Sequence, residues 1–152
     1  MKRVKWQYIA RFLTVLGGVC AIASIGFVGV QIRDTRINQS VDLLLKFDNE
    51  LNSDINSKIA DEIDSPGTLL LKEHGGDITD GQLENYLGVY ETLGFLYEKH
   101  LITDDMIYND FSYDVVKAYQ NSEVKTYITE IRKDDPTLFT EFEKLAKSQI
   151  KN

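Results

Sequence analysis

The stretch TDGQLENYLGVYETLGFLYEKH, Thr79 to His100, decides the fold class. Leu83, Tyr86, Leu87, Tyr90, Leu93, Gly94 and Tyr97 recur at helical steps and form one stripe. Val89, Phe95 and Leu96 fall off that stripe and make other faces apolar too. A helix that is apolar on several sides is covered on several sides, so it is expected in the middle of a bundle. Thr79 with Gln82 three residues later has the form of a capping box that starts it. Gly88 and Gly94 each cost a helix about 1 kcal/mol relative to Ala, and close approach by neighbouring helices is the expected reason for them.

On the N-terminal side, Ile37, Val41, Leu44, Leu51, Ile55, Ile59 and Ile63 keep a three-to-four-residue period, with Asp48 as the missing beat. That period predicts one long amphipathic helix over residues 33–64, uninterrupted by Pro or Gly and stopped by Ser65-Pro66-Gly67. A short apolar patch, Leu69 to Leu71, and a loop at His74-Gly75-Gly76-Asp77 lead into the central helix.

On the C-terminal side, Thr103 with Asp104 and Asp105 predicts a short helix through Phe111. Ser112 is expected to cap a segment with Val115, Val116 and Tyr119, and Ser122 another with Val124, Tyr127, Ile128 and Ile131. Asp135-Pro136 reads as an N-cap followed by Pro at the first helical position. The last helix would then turn Phe139, Phe142, Leu145, Ala146 and Ile150 inward. No strand alternation or internal repeat occurs, so residues 33–64 and 65–152 together are expected to form a small all-α bundle.

Ahead of the bundle, no Asp, Glu, Lys or Arg interrupts residues 12–32. At 1.5 Å per residue that run spans the roughly 30 Å hydrocarbon layer, which predicts an N-terminal transmembrane helix. A cleavable signal peptide is the competing reading: Lys2, Arg3 and Lys5 make a basic start and Ala21-Ile22-Ala23 a small-residue site. The apolar character continues through Ile25, Phe27, Val28, Val30 and Ile32, which favours a retained anchor in the cell membrane. A lipoprotein reading of Cys20, the sole cysteine, is disfavoured by the bulk of Val19. Trp6 and Tyr8 in the basic tail, residues 1–11, suit the membrane interface, with Arg11 snorkelling outward. The positive charge before the run slightly exceeds that after it, which favours an external bundle. Gly17, Cys20, Ala21 and Ser24 share one helix face as a candidate helix–helix interface. That face reads either as a self-association surface or as the small-residue content common to membrane helices.

The chain carries a net charge of -7, and with four bases and no acid before Phe12, the remainder carries -11. Such a balance disfavours nucleic-acid binding, which needs dense Lys and Arg. His74 and His100 have no second His or Cys at ligand spacing, so no metal site is expected. Asp77 with Asp80, and Asp104 with Asp105 and Asp110, lack the order of a calcium loop. His100 is expected to serve the C-terminal end of its helix. No nucleophile elbow, Cys–His pair or phosphate loop appears, so neither an enzyme nor a cofactor is expected. Glu91, at the border of the most apolar helix, and Arg132, beside Ile131, are a candidate structural ion pair; the alternative is that both reach solvent.

Several pieces carry a resemblance. They are QIRDTR at Gln31–Arg36, YETLGFL at Tyr90–Leu96, LITDD at Leu101–Asp105, and YITEIR at Tyr127–Arg132 followed by Phe139, Phe142-Glu143 and Leu145. In this order the chain resembles small bacterial and phage membrane-anchored helical proteins classed as a domain of unknown function, over most of its length. The resemblance implies one anchor, a helical domain taken to be cytoplasmic, no established reaction, and host–phage conflict as a setting.

The leading expectation is a single-pass membrane protein whose helical domain binds a protein partner or itself as a regulatory module. The alternative is an oligomeric, membrane-perturbing effector that bundles its spans into a pore, against which the span lacks a polar stripe. An enzyme at the membrane surface has no constellation to support it.

Overall fold

A computed structural model of the protein describes Gln31, Thr35, residues 38–65 and residues 67–151. The chain divides into two units, Met1–Val41 and Asp42–Asn152. In the first, Gln31, Thr35 and residues 38–41 are helical, and the Thr35 hydroxyl donates to the Gln31 carbonyl at 2.8 Å. The expected span over 12–32 lies outside the described residues apart from Gln31. Among the described residues, no helix is long and apolar enough to cross a membrane.

The second unit is helical. Its elements are α1 (helical residues 42–51), α2 (Asp54–Asp64), α3 (Asp80–Glu98), α4 (Asp104–Asp110), α5 (Ser112–Gln120), α6 (Ser122–Ile131) and α7 (Thr140–Lys151). A 3-10 turn covers Lys72–His74, and Leu71 and Ile78 form an isolated parallel bridge. The described residues contain no β-strand, so the all-α expectation holds.

The predicted single helix over 33–64 is interrupted at Asn52 and Ser53. Ser53 is extended (φ -64°, ψ 151°), and Asp54 stands in the first turn of α2, where the helix dipole favours an acid. Buried Asn56 reaches back across the bend and donates to the Glu50 carbonyl at 2.9 Å, which also accepts the Ser53 amide at 3.2 Å, so one carbonyl at the end of α1 ties both sides of the bend. The inward phase shifts with the bend. Leu44 and Phe47 are buried before it, Asn56, Ile59 and Ile63 after it, while Val41 and Ile55 are exposed.

α3 starts on the predicted capping box: the Gln82 amide donates to Thr79 Oγ1 and the Thr79 amide to Gln82 Oε1. It is buried from Leu83 to Gly94 on several faces, although Phe95 is exposed beneath the Lys99 ammonium. α7 packs along α3 and α5. A Cβ on Gly94 would stand 2.4 Å from the Glu141 carbonyl oxygen, so the helices cross where only Gly fits; Gly88 faces open space instead. Phe142 is fully buried against Tyr90 and Tyr119, with ring centroids 6.1 and 6.3 Å away. Burial of such a side chain contributes about 1.5–3 kcal/mol.

α3 ends on a Schellman arrangement. The His100 amide donates to the Tyr97 carbonyl and the Leu101 amide to the Leu96 carbonyl, with His100 left-handed at φ 55°. His100 thus serves the helix end through its backbone. Three boundaries differ from the sequence reading. Phe111 rather than Ser112 precedes α5, and Asn121 rather than Ser122 caps α6, its side chain accepting from the Glu123 and Val124 amides. Asp135 holds a local turn by accepting from Thr137, and α7 begins only at Thr140 because Phe139 is left-handed at φ 56°. On α7 the inward positions are Phe142, Leu145, Ala146 and Gln149, while Ile150 is exposed.

Candidate functional site

Glu91 and Arg132 do not pair with each other; both hold the chain entering α7. Glu91 lies on α3, one turn before Gly94, so the close helix crossing brings its carboxylate to the α7 start. There Oε2 accepts the Phe142 amide at 2.7 Å. This supplies one acceptor for the first amides of α7, which otherwise lack intrahelical partners. Arg132, at the end of α6, donates from Nε to the Leu138 carbonyl at 2.8 Å and from Nη2 to the Phe139 carbonyl at 3.1 Å. Its Nη1 pairs with Glu143 at 2.8 Å. Glu143 also pairs with Lys147, and the two cations hold its carboxyl below the usual range, Lys147 contributing most.

A second carboxylate stitches the loop before α3 to the bundle. Glu123, in the first turn of α6, accepts the Leu70 amide at 2.7 Å and the Leu71 amide at 3.0 Å, with His74 Nδ1 at 3.3 Å from its other oxygen. Leu70 and Leu71 are thereby buried with their backbone satisfied.

These contacts frame a groove of about 750 Å³ between the α1–α2 bend, α3 and the turn before α7. Asn85, Gly88, Val89 and Thr92 present one face of α3 to it, and Leu138 and Phe139, held by Arg132, complete the lining. Phe47, Ile55 and Val89 add apolar surface from both sides. Among the described residues that line it, Glu50 and Glu84 are the charged ones and none is Lys, Arg or His. An open helix face with an apolar lining and acidic walls suits an amphipathic helix flanked by bases.

The structure provides no activated nucleophile in this groove, and the described residues contain no group of three or more His, Cys, Asp or Glu that could hold a metal ion. Gly17, Cys20, Ala21 and Ser24, the candidate helix–helix face, lie outside the described residues. Sequence reasoning did not find the groove. The signals for it were the cap-forming run Asn52-Ser53-Asp54 inside an apolar period and a glycine, Gly88, that no neighbour requires.

A family model described as "Domain of unknown function (DUF4760)" matches residues 11–149. No curated protein and no solved structure matches the chain.

Proposed function

The chain belongs to the DUF4760 family, and we propose that it is a membrane-anchored interaction module that holds a base-flanked amphipathic helix of a protein partner beside Gly88. The observation that carries this reading is the groove: an α3 face left open at Gly88, apolar walls, and Glu50 and Glu84 with no base among the described lining residues. Charge complementarity selects the partner's chemistry. Its Lys or Arg would steer encounter toward the acidic walls, and its apolar stripe would fill the groove. In this reading the uncharged run from Phe12 to Ile32 is the anchor, and no reaction is assigned to the domain.

Site-specific photocrosslinking in native membranes tests it. A photoreactive residue in place of Gly88 should capture a protein through a helix bearing an apolar face and flanking Lys or Arg. The same residue in place of exposed Tyr108 should not. Capture of a second copy of this chain, or of lipid alone, overturns the reading. The anchor is tested separately, by retention of the full chain in the membrane after carbonate washing.

A pore remains the second reading because Gly17, Cys20, Ala21 and Ser24 offer one face for packing spans together. Ion leakage on expression, with crosslinking through Cys20 into species larger than a dimer, would favour it.

A further inference from the structure

The groove beside Gly88 has a length and two unlike ends. Its α3 wall runs from Gln82 to Thr92, about 15 Å at 1.5 Å per residue, so the groove lies along the helix rather than across it. A helix about 10–12 Å wide, sunk to half its depth over that length, displaces about 600–850 Å³. The groove holds about 750 Å³, which admits roughly ten helical residues of a partner, half sunk and alongside α3.

One end is acidic. Glu84 lies near the start of α3, and Asp80, one turn earlier, stands on the same face; both are exposed, and neither has an ion-pair partner among the described residues. The other end is apolar. There the Thr92 hydroxyl is spent on the Gly88 carbonyl at 2.9 Å, and Leu138 and Phe139 close the lining. The chain carrying that pair is anchored by Glu91 and passes against Gly94 at Glu141, both beyond Gly88 on α3, so the pair belongs to the half of the groove away from Glu84. Helix polarity then fixes a direction. The start of α3 carries partial positive charge and the end of any helix partial negative charge, so an antiparallel neighbour sets unlike ends together. A helix also accommodates Lys and Arg best in its last turn, and in that alignment the last turn faces the acids. A parallel neighbour would lose both.

We propose that the partner helix lies antiparallel to α3, with its apolar residues against Leu138 and Phe139 and its Lys or Arg following at the C-terminal end, opposite Asp80 and Glu84. This rests on the groove being the partner's seat and adds the order of the partner's sequence: apolar first, basic after.

Photocrosslinking of the full chain from two flanking positions in native membranes tests the direction. Photoreactive residues replace exposed Asn85 and Thr92, one at a time, and the captured residue is mapped by mass spectrometry of the crosslinked peptide. Capture from Thr92 should fall about seven residues N-terminal to capture from Asn85 in the partner's sequence, because the two helices rise at the same rate. Lys or Arg should flank the Asn85 contact. Glu84→Lys should lower capture from Asn85 about tenfold or more by setting like charges together. The reverse order, the same partner residue from both positions, or undiminished capture in Glu84→Lys overturns the proposal. If neither flank captures anything while the Gly88 position captures a partner helix, the direction fails and the groove reading stands. Should none of the three positions capture a protein, both fail.

Discussion

The Glu91 carboxylate accepts the Phe142 amide at 2.7 Å, so a side chain of α3 caps a helix that begins 49 residues later at Thr140. The contact sits one turn from Gly94, where the α3 backbone lies against the Glu141 carbonyl. Cap and crossing depend on each other. Without the glycine the carboxylate would be held away from the amide, and without the carboxylate the α7 start would enter the interface with an open donor.

Replacing Glu91 with Ala should therefore destabilise the fold by about 1–2 kcal/mol, the usual cost of deleting an N-cap acceptor. Glu91→Gln keeps a carbonyl oxygen at the same reach and should cost less than half of that. Urea unfolding of the full chain in detergent, followed by far-UV circular dichroism, separates the two. Equal losses would mean that the charge, not the hydrogen bond, holds α7.

Gly88 and Gly94 stand six residues apart on α3 and should respond in opposite directions. A Cβ at Gly94 meets backbone, which cannot swing aside, and Gly94→Ala should cost about 1–3 kcal/mol or more. A Cβ at Gly88 meets nothing within 4 Å, so Gly88→Ala should stabilise by about 0.5–1 kcal/mol through helix propensity. The same unfolding measurement reads both.

What the sequence made legible was the burial pattern of α3. Its apolar residues exceed one stripe, and a helix with that composition has few places to go other than the middle of a bundle. Two features escaped. Ile55 keeps the apolar count running past the bend, yet the buried beat moves to Asn56, a polar residue that a periodicity count passes over. The start of α7 was misplaced because Asp135-Pro136 has the local chemistry of a helix start, whereas the acceptor used by α7 comes from Glu91, which no local reading brings near. The paired roles of Glu91 and Arg132 were half legible: both border apolar stripes, but each meets backbone of the α7 entrance instead of the other.

Asp114 should make the pH dependence of stability diagnostic. A carboxyl raised in the folded state favours folding below its unfolded value, roughly 3.9, and opposes it as pH climbs through the folded value. Asp114→Asn should thus stabilise the protein at pH 7, with the gain vanishing as pH falls below about 4. Asp64 behaves in the opposite sense. Hydrogen bonds from Lys117 and Tyr113 lower its carboxyl, so its stabilising contribution is present at neutral pH and lost as pH falls through the folded value. Asp64→Asn should destabilise at pH 7. Thermal unfolding of both variants at pH 7 and pH 3.5 checks the signs.

Arg132 makes the sharpest demand on side-chain identity. Its guanidinium contacts the Leu138 carbonyl, the Phe139 carbonyl and the Glu143 carboxylate from three different nitrogens. Those carbonyls flank the left-handed Phe139, a conformation that a bulky residue adopts only when its surroundings hold it there. A lysine carries the same charge but a single nitrogen, so it can keep the pairing with Glu143 or one carbonyl, not the whole fork. Arg132→Lys should therefore cost about 1–3 kcal/mol although charge is conserved. Because the turn also forms one wall of the groove, the variant should lose crosslinking from the Gly88 position under conditions where the bundle remains folded. Retained crosslinking with normal stability would show that Phe139 holds its conformation through its own burial alone.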